Sequence, residues 1–243
     1  MKALLAFDTA TEHLSVALAA HGRVFAHHAA GGAQASAALI PAIQALLREA
    51  GLALRDLDAI AFGRGPGAFT GLRTACAVAQ GLALGASRPV LPIDSLLAVA
   101  EDARGGAPGP LRVWATLDAR MGEVYAAQYR FAAGAWSVLD APQLSSPEAL
   151  DARWRAEPAE AIAGNALAVF AGRWDTGSAR CVPQALPRAE AMLPLARALR
   201  AQGGAVDAAL ALPLYVRDKV AQTTLERDAA RAAKSAAAPE PAR

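Results

Sequence analysis

Gly63-Arg64-Gly65-Pro66-Gly67-Ala68-Phe69-Thr70-Gly71-Leu72-Arg73 joins a short apolar run, Asp58–Gly63, to a long one, Phe69–Ala86. The first run predicts a buried strand and the second a helix, a strand–turn–helix unit of the kind that builds α/β folds. Glycine permits positive φ and close approach of the backbone, and a helix N-terminus attracts anions, so a phosphate-cradling loop is the sharpest hypothesis to test. The Walker A pattern needs Lys and then Ser or Thr after its last glycine, whereas Gly71 precedes Leu72-Arg73. The dinucleotide pattern G-x-G-x-x-G runs Gly65-x-Gly67 and then meets Thr70 where its third glycine belongs. Pro66 also removes one of the amide donors such a loop would use. The turn therefore reads as a structural motif of Gly63, Arg64, Gly65, Pro66, Gly67 and Gly71.

The helix after the turn is apolar in nearly every direction. Gly71, Thr74, Ala75, Ala77, Ala79, Gly81, Ala83 and Gly85 are small, and Leu72, Val78, Leu82 and Leu84 add apolar surface between them. Such a helix must be covered on more than one side. It is either a central helix within one domain, or one with a face turned inward and a face turned to a partner. Periodicity does not separate the two.

Working outward, Lys2–Asp8, His13–Ala20 and Arg23–Ala29 predict three strands, with His21-Gly22 as a tight turn. A helix ending at Gly51 carries Leu39, Ile43, Leu46 and Leu47 at helical spacing, and Pro41 must sit in its first turn or kink it. Arg88–Ile93 returns to the sheet, and Asp94 is a candidate cap for the helix Ser95–Arg104. Gly105 to Pro110 is the best linker in the chain. Beyond it Leu111–Asp118, Glu123–Phe131 and Ala135–Leu139 predict strands, followed by helix Pro147–Arg155, strand Glu160–Gly164 and helices Ala166–Arg173 and Ala189–Ala201. The second half repeats the first. The expected architecture is α/β and two-lobed, each lobe a mixed sheet covered by helices, with residues 1–104 as the first lobe, 105–110 as linker, 111–224 as the second lobe and 225–243 as a disordered tail. The arrangement is that of actin, the sugar kinases and Hsp70 ATPase domains, the ribonuclease H-like or ASKHA fold, at the level of fold analogy alone.

The 243 residues are 54% hydrophobic and carry a formal charge of +2, enough for a packed core and too little charge to argue for a phosphate grip. Cys76 and Cys181 are far apart and read as small buried hydrophobes. The apolar run at the N-terminus is short and ends at Asp8, and no apolar stretch is long enough for a bilayer, so the expectation is a cytoplasmic protein without a membrane segment.

The run GRGPGAFTGLR with Ala79-Gln80-Gly81-Leu82-Ala83 resembles the TsaB (YeaZ) family. Asp8-Thr9-Ala10-Thr11, Asp118-Ala119-Arg120-Met121-Gly122-Glu123-Val124-Tyr125 and Pro213-Leu214-Tyr215-Val216-Arg217 fit the same family in the same order, from residue 1 to about 220. The resemblance implies an actin-like fold and a part in making threonylcarbamoyladenosine beside the anticodon of tRNA. It implies a non-catalytic subunit that pairs with a homologous catalytic partner, TsaD, joined by the small ATPase TsaE, with tRNA met through the complex. It places the pairing face on the helices matching Gln34–Ala50 and Phe69–Ala86, and implies self-association through that face in isolation. Ile40, Ile43, Leu47, Phe69, Arg73, Cys76, Ala77 and Gln80 are the candidate interface residues.

The residues present agree with a chain that has no catalytic site of its own, no metal and no cofactor. TsaD-like subunits carry H-x-x-x-H where this chain has Ser95 and Val99, which cannot hold a metal. His13, His21, His27 and His28 are the only histidines, and adjacent residues on a strand face opposite ways. The loop at Asp8 has no glycine, and Asp118-Ala119-Arg120 stands where a glycine pair would face a phosphate. Asp8, Thr9, Asp118 and Arg120 are thus candidates for a weak phosphate or partner contact only, and Asp118 and Arg120 also read as a turn-stabilising ion pair. Ala35 replaces a His that the family often carries. A competing reading is a stand-alone actin-like ATPase or small-molecule kinase, and a third is a metallopeptidase.

Overall fold

The computed structural model describes residues 2–217. The expected tail at 225–243 and the last residues of the second lobe lie outside them.

Three antiparallel strands open the chain, β1 (Ala3–Asp8), β2 (His13–Ala20) and β3 (Arg23–Ala30). Helix α1 (Ala35–Glu49) leads to β4 (Ala59–Gly65), α2 (Phe69–Ala86), β5 (Val90–Asp94) and α3 (Ser95–Arg104). β4 and β5 join parallel to β1, giving one sheet in the order β3-β2-β1-β4-β5. The second sheet repeats the plan. β6 (Leu111–Arg120), β7 (Glu123–Ala132) and β8 (Ala135–Ser145) are antiparallel, followed by α4 (Pro147–Ala156), β9 (Ala161–Ala163), the single turn α5 (Ala166–Val169), β10 (Arg180–Val182) and α6 (Ala189–Ala201). Its order is β10-β9-β6-β7-β8, with β9 and β10 parallel to β6.

β1 is buried along its whole length because both faces of its sheet are covered. Leu5 and Phe7 point with Leu18, Ile60 and Phe62 toward Leu39, Ile43 and Leu46 of α1 and Ala75 and Ala79 of α2. Leu4 and Ala6 point the other way, with Ala17, Ala59 and Ala61, against Met192, Leu193 and Ala196 of α6. The period-2 alternation of strands sorts large residues to one face and mostly alanine to the other, which lets α6 approach closely. On the second sheet, Trp114, Val124 and Ile162 pack with Trp154 and Phe170 on one face. Leu96, Val99 and Ala103 of α3 cover the other.

Sheet membership changes between β5 and β6, but helix packing does not follow it. α3, read with the first lobe, packs mainly on the second sheet while also touching β4 and β5, and α6, read with the second, lies on the first. The helix expected over Ala166–Arg173 stops as a helix at Val169, and the short β10 lies parallel to β9 where no strand was expected. Pro41 lies within α1, not in its first turn. Among the described residues no helix is long and apolar enough to cross a membrane.

Candidate docking face and interlobe cleft

The glycine turn is folded onto the loop that follows β1. A Cβ on Gly63 would lie 1.7 Å from Asp8 Oδ2, and one on Gly71 would lie 1.9 Å from the carbonyl oxygen of Thr9. Neither position has room for any side chain, and at Gly71 the obstacle is backbone. Thr9 Oγ1 donates to the Gly71 carbonyl at 2.7 Å, and the Ala68 amide donates to the Ala10 carbonyl at 2.7 Å. Two of the turn's backbone groups are thus held by the loop after β1. Asp8 and Thr9 are 1% and 0% exposed, so these two candidate contacts are buried beneath the turn. Asp8 Oδ1 accepts from the Ala10 amide and Oδ2 from Ser95 Oγ, at 2.7 and 2.6 Å. Burial pushes the Asp8 carboxyl up to about 6, and those two hydrogen bonds hold it from rising further.

α2 divides into two faces. Leu72, Ala75, Cys76, Ala79, Ala83 and Ala86 are buried. Arg73, Ala77, Gly81, Leu84 and Gly85 are exposed, at steps of three or four residues along the helix. Leu84 is 77% exposed. A Cβ on Gly81 or Gly85 would meet nothing within 4 Å, so no contact within the chain requires glycine there.

Of the candidate interface residues, Ile40 on α1 and Phe69, Arg73 and Ala77 on α2 are exposed, and Gln80 is half-buried. Ile43, Leu47 and Cys76 are part of the core beneath them. For those three the expectation of a surface position is corrected. They belong to the stripes that pack on the sheet, Leu39-Ile43-Leu46-Leu47 and Leu72-Ala75-Cys76-Ala79, and burial pushes the Cys76 thiol up. Gln80 Nε2 and Cys76 Sγ both donate to the carbonyl of Ala211, at 2.9 and 3.2 Å. That contact brings a segment bearing the exposed Leu210 and Leu212 alongside α2. Leu84, Leu210 and Leu212 are exposed beside these positions and are not among the candidate interface residues. Stepping along α2 from Arg73 by four to Ala77 and Gly81, and then by three, would have found the first, and nothing local points to the other two.

At the other end of α2, the β1–β2 loop, the start of α2, the β6–β7 turn and residues 214–217 enclose a cleft of about 190 Å³ between the lobes. Asp118 and Arg120 stand at its mouth. They pair at 3.2 Å, and Arg120 Nη2 also reaches Glu12 Oε2 across the cleft at 2.7 Å. Arg120 and Met121, at the tight β6–β7 turn, both have positive φ. Of the histidines, His28 pairs with Glu190 at 2.8 Å. Among the described residues no group of three or more His, Cys, Asp or Glu is placed to hold a metal.

The family model for TsaD, tRNA N6-adenosine threonylcarbamoyltransferase, matches residues 27–170. The tRNA threonylcarbamoyladenosine biosynthesis protein TsaB of Escherichia coli K12 is 39% identical over 227 residues, covering 90% of this chain and 96% of that one. Its counterpart in Haemophilus influenzae is 37% identical over 227 residues, covering 89% and 94%. Among solved structures, YeaZ from Pseudomonas aeruginosa aligns with a TM-score of 0.79 at 40% identity, over 88% of this chain and all of that one.

Proposed function

The chain belongs to the TsaB family, and from that premise we propose that it is a non-catalytic partner subunit for threonylcarbamoylation of the adenosine next to the anticodon in tRNA. It acts by pairing with a homologous TsaD-type catalytic subunit through the outward faces of α1 and α2, with TsaE and tRNA joining the complex. One observation carries the reading: the outward stripe Arg73-Ala77-Gly81-Leu84 of α2 keeps glycine where the chain's own packing has no use for it. Glycine inside a helix costs about 1 kcal/mol relative to alanine. A surface that retains it is flat enough for a second helix to lie close along it. The non-catalytic role is supported by Ser95 and Val99. Ser95 is fully buried and donates to Asp8, and Val99 packs in the core, so neither offers a ligand atom to a metal or substrate.

Three experiments test the proposal. Deletion of the gene, with mass analysis of tRNA nucleosides, is expected to abolish or deplete threonylcarbamoyladenosine; an unchanged level would sink the assignment. Purified chain and TsaD-type partner are expected to co-elute from a sizing column. The purified chain alone is expected to show no ATP hydrolysis at ordinary enzyme rates, and hydrolysis at such rates would favour the kinase or ATPase reading.

A further inference from the structure

The segment from Ala211 to Arg217 has no regular secondary structure, yet it touches both lobes in succession. It is fastened to α2 first, where the Ala211 carbonyl accepts from Cys76 and Gln80. The Leu214 amide then donates to the Arg64 carbonyl at 2.7 Å, within the glycine turn. Tyr215 lays its ring on Phe69, with centroids 5.4 Å apart, and its hydroxyl accepts from Arg73 Nε at 3.1 Å. Val216 packs against the core of the second lobe. Arg217 ends the crossing, donating to the Ala119 carbonyl at 3.0 Å and pairing with Glu123 at 2.6 Å, on the β6–β7 hairpin.

Leu214 to Arg217 are also walls of the interlobe cleft. At about 190 Å³ the cleft falls below the roughly 300 Å³ at which small-molecule sites begin. Apart from this crossing, the mouth of the cleft is held by the exposed pair Arg120–Glu12, which solvent screens. The aromatic contact that seats Tyr215 is itself half-exposed, and it is made to Phe69 and Arg73, two residues at the start of the outward face of α2.

We propose that Ala211–Arg217 is a strap that holds the interlobe cleft shut and ties its closure to the α2 face. A partner that takes Phe69 and Arg73 as its own contacts frees Tyr215, loosens the strap and lets the cleft widen. The closure rests on the geometry of this chain alone, and the tie to docking rests on the partner-subunit reading above.

Hydrogen exchange followed by mass spectrometry on the full-length chain separates these. Tyr215→Ala is expected to speed exchange about tenfold in the loop and hairpin end that line the cleft, residues 10–12 and 117–125, while β1 and the first half of β6 keep wild-type protection. Tyr215→Phe, which keeps the ring on Phe69, is expected to leave the cleft loops protected. Faster exchange confined to residues 213–217 would overturn the closure, and so would a uniform rise through both sheets, which would make the segment an ordinary piece of the core. Adding the TsaD-type partner to the wild-type chain is expected to deprotect residues 214–217. Binding with the strap still protected would overturn the tie to docking. Failure to bind would remove the docking reading and that tie together, leaving the closure to the isolated-chain result.

Discussion

Asp8 shows how a residue can read as a ligand contact and serve as internal architecture. Its carboxyl sits in the closed pocket made by the missing side chain of Gly63, and burial raises its folded value from 3.8 to about 6. Below about pH 4 both folded and unfolded chains hold the proton. Between about pH 4 and 6 the folded chain keeps a proton that the unfolded chain has released, so stability falls as pH rises through this window and then levels off. Asp8→Asn keeps an acceptor for Ala10 and places an amide beside Ser95. It is expected to be more stable than the parent at pH 8 by as much as about 3 kcal/mol, and equal to it near pH 4, by urea denaturation at the two pH values. Gly71→Ala meets the Thr9 carbonyl instead of solvent. It is expected to cost about 3 kcal/mol or more, and a midpoint within experimental error of the parent would show that the turn can move aside.

At the scale of the element, α2 is one helix with two environments a single residue apart. Cys76 is 5% exposed and faces the sheet; Ala77 is exposed and faces away. Ala77→Arg is expected to change monomer stability by no more than about 0.5 kcal/mol and to abolish co-elution with the catalytic partner. Cys76→Arg is expected to unfold the monomer, because it buries an unpaired charge. Gly81→Ala gives the sharper comparison: thermal unfolding of the isolated chain should show a gain of about 0.5–1 kcal/mol, while affinity for the partner falls. A gain in both would mean that no helix lies close to this face. The amphipathic stripe of α1 was legible from Leu39, Ile43, Leu46 and Leu47 alone, since each recurs at helical spacing and all four are buried. The two faces of α2 were not, because a helix with apolar residues all round has no polar side to orient it.

At the scale of the whole molecule, the exchange of α3 and α6 between sheets locks the lobes together. α3 covers the second sheet while its Asp102 accepts from the Leu186 amide at 3.0 Å and pairs with Arg188, just before α6 returns to the first sheet. Burial pushes the Asp102 carboxyl up, and the Leu186 amide and Arg188 oppose the shift. The two sheets are therefore expected to unfold in one transition, with calorimetric and van't Hoff enthalpies equal; two separable transitions would contradict the interlock. Asp102→Ala leaves a half-buried arginine and an amide without their acceptor, and is expected to lower stability by about 1–3 kcal/mol in the same experiment.

The sequence by itself determined the repeated strand-and-helix order and the mixed character of both sheets. Period and turn chemistry are local, so β1 to β7 and helices α1 to α4 and α6 stand in the structure close to where they were read. Only the tertiary structure decided that Gly63 and Gly71 are required by Asp8 and Thr9, more than fifty residues earlier in the chain, and that Ile43, Leu47 and Cys76 face inward while Leu210 and Leu212 come to lie beside the outward face. It alone showed each sheet borrowing a helix from the other half. An apolar pattern records that a residue is to be covered; which neighbour covers it depends on contacts between segments far apart in the chain, and those exist only once both sheets have formed.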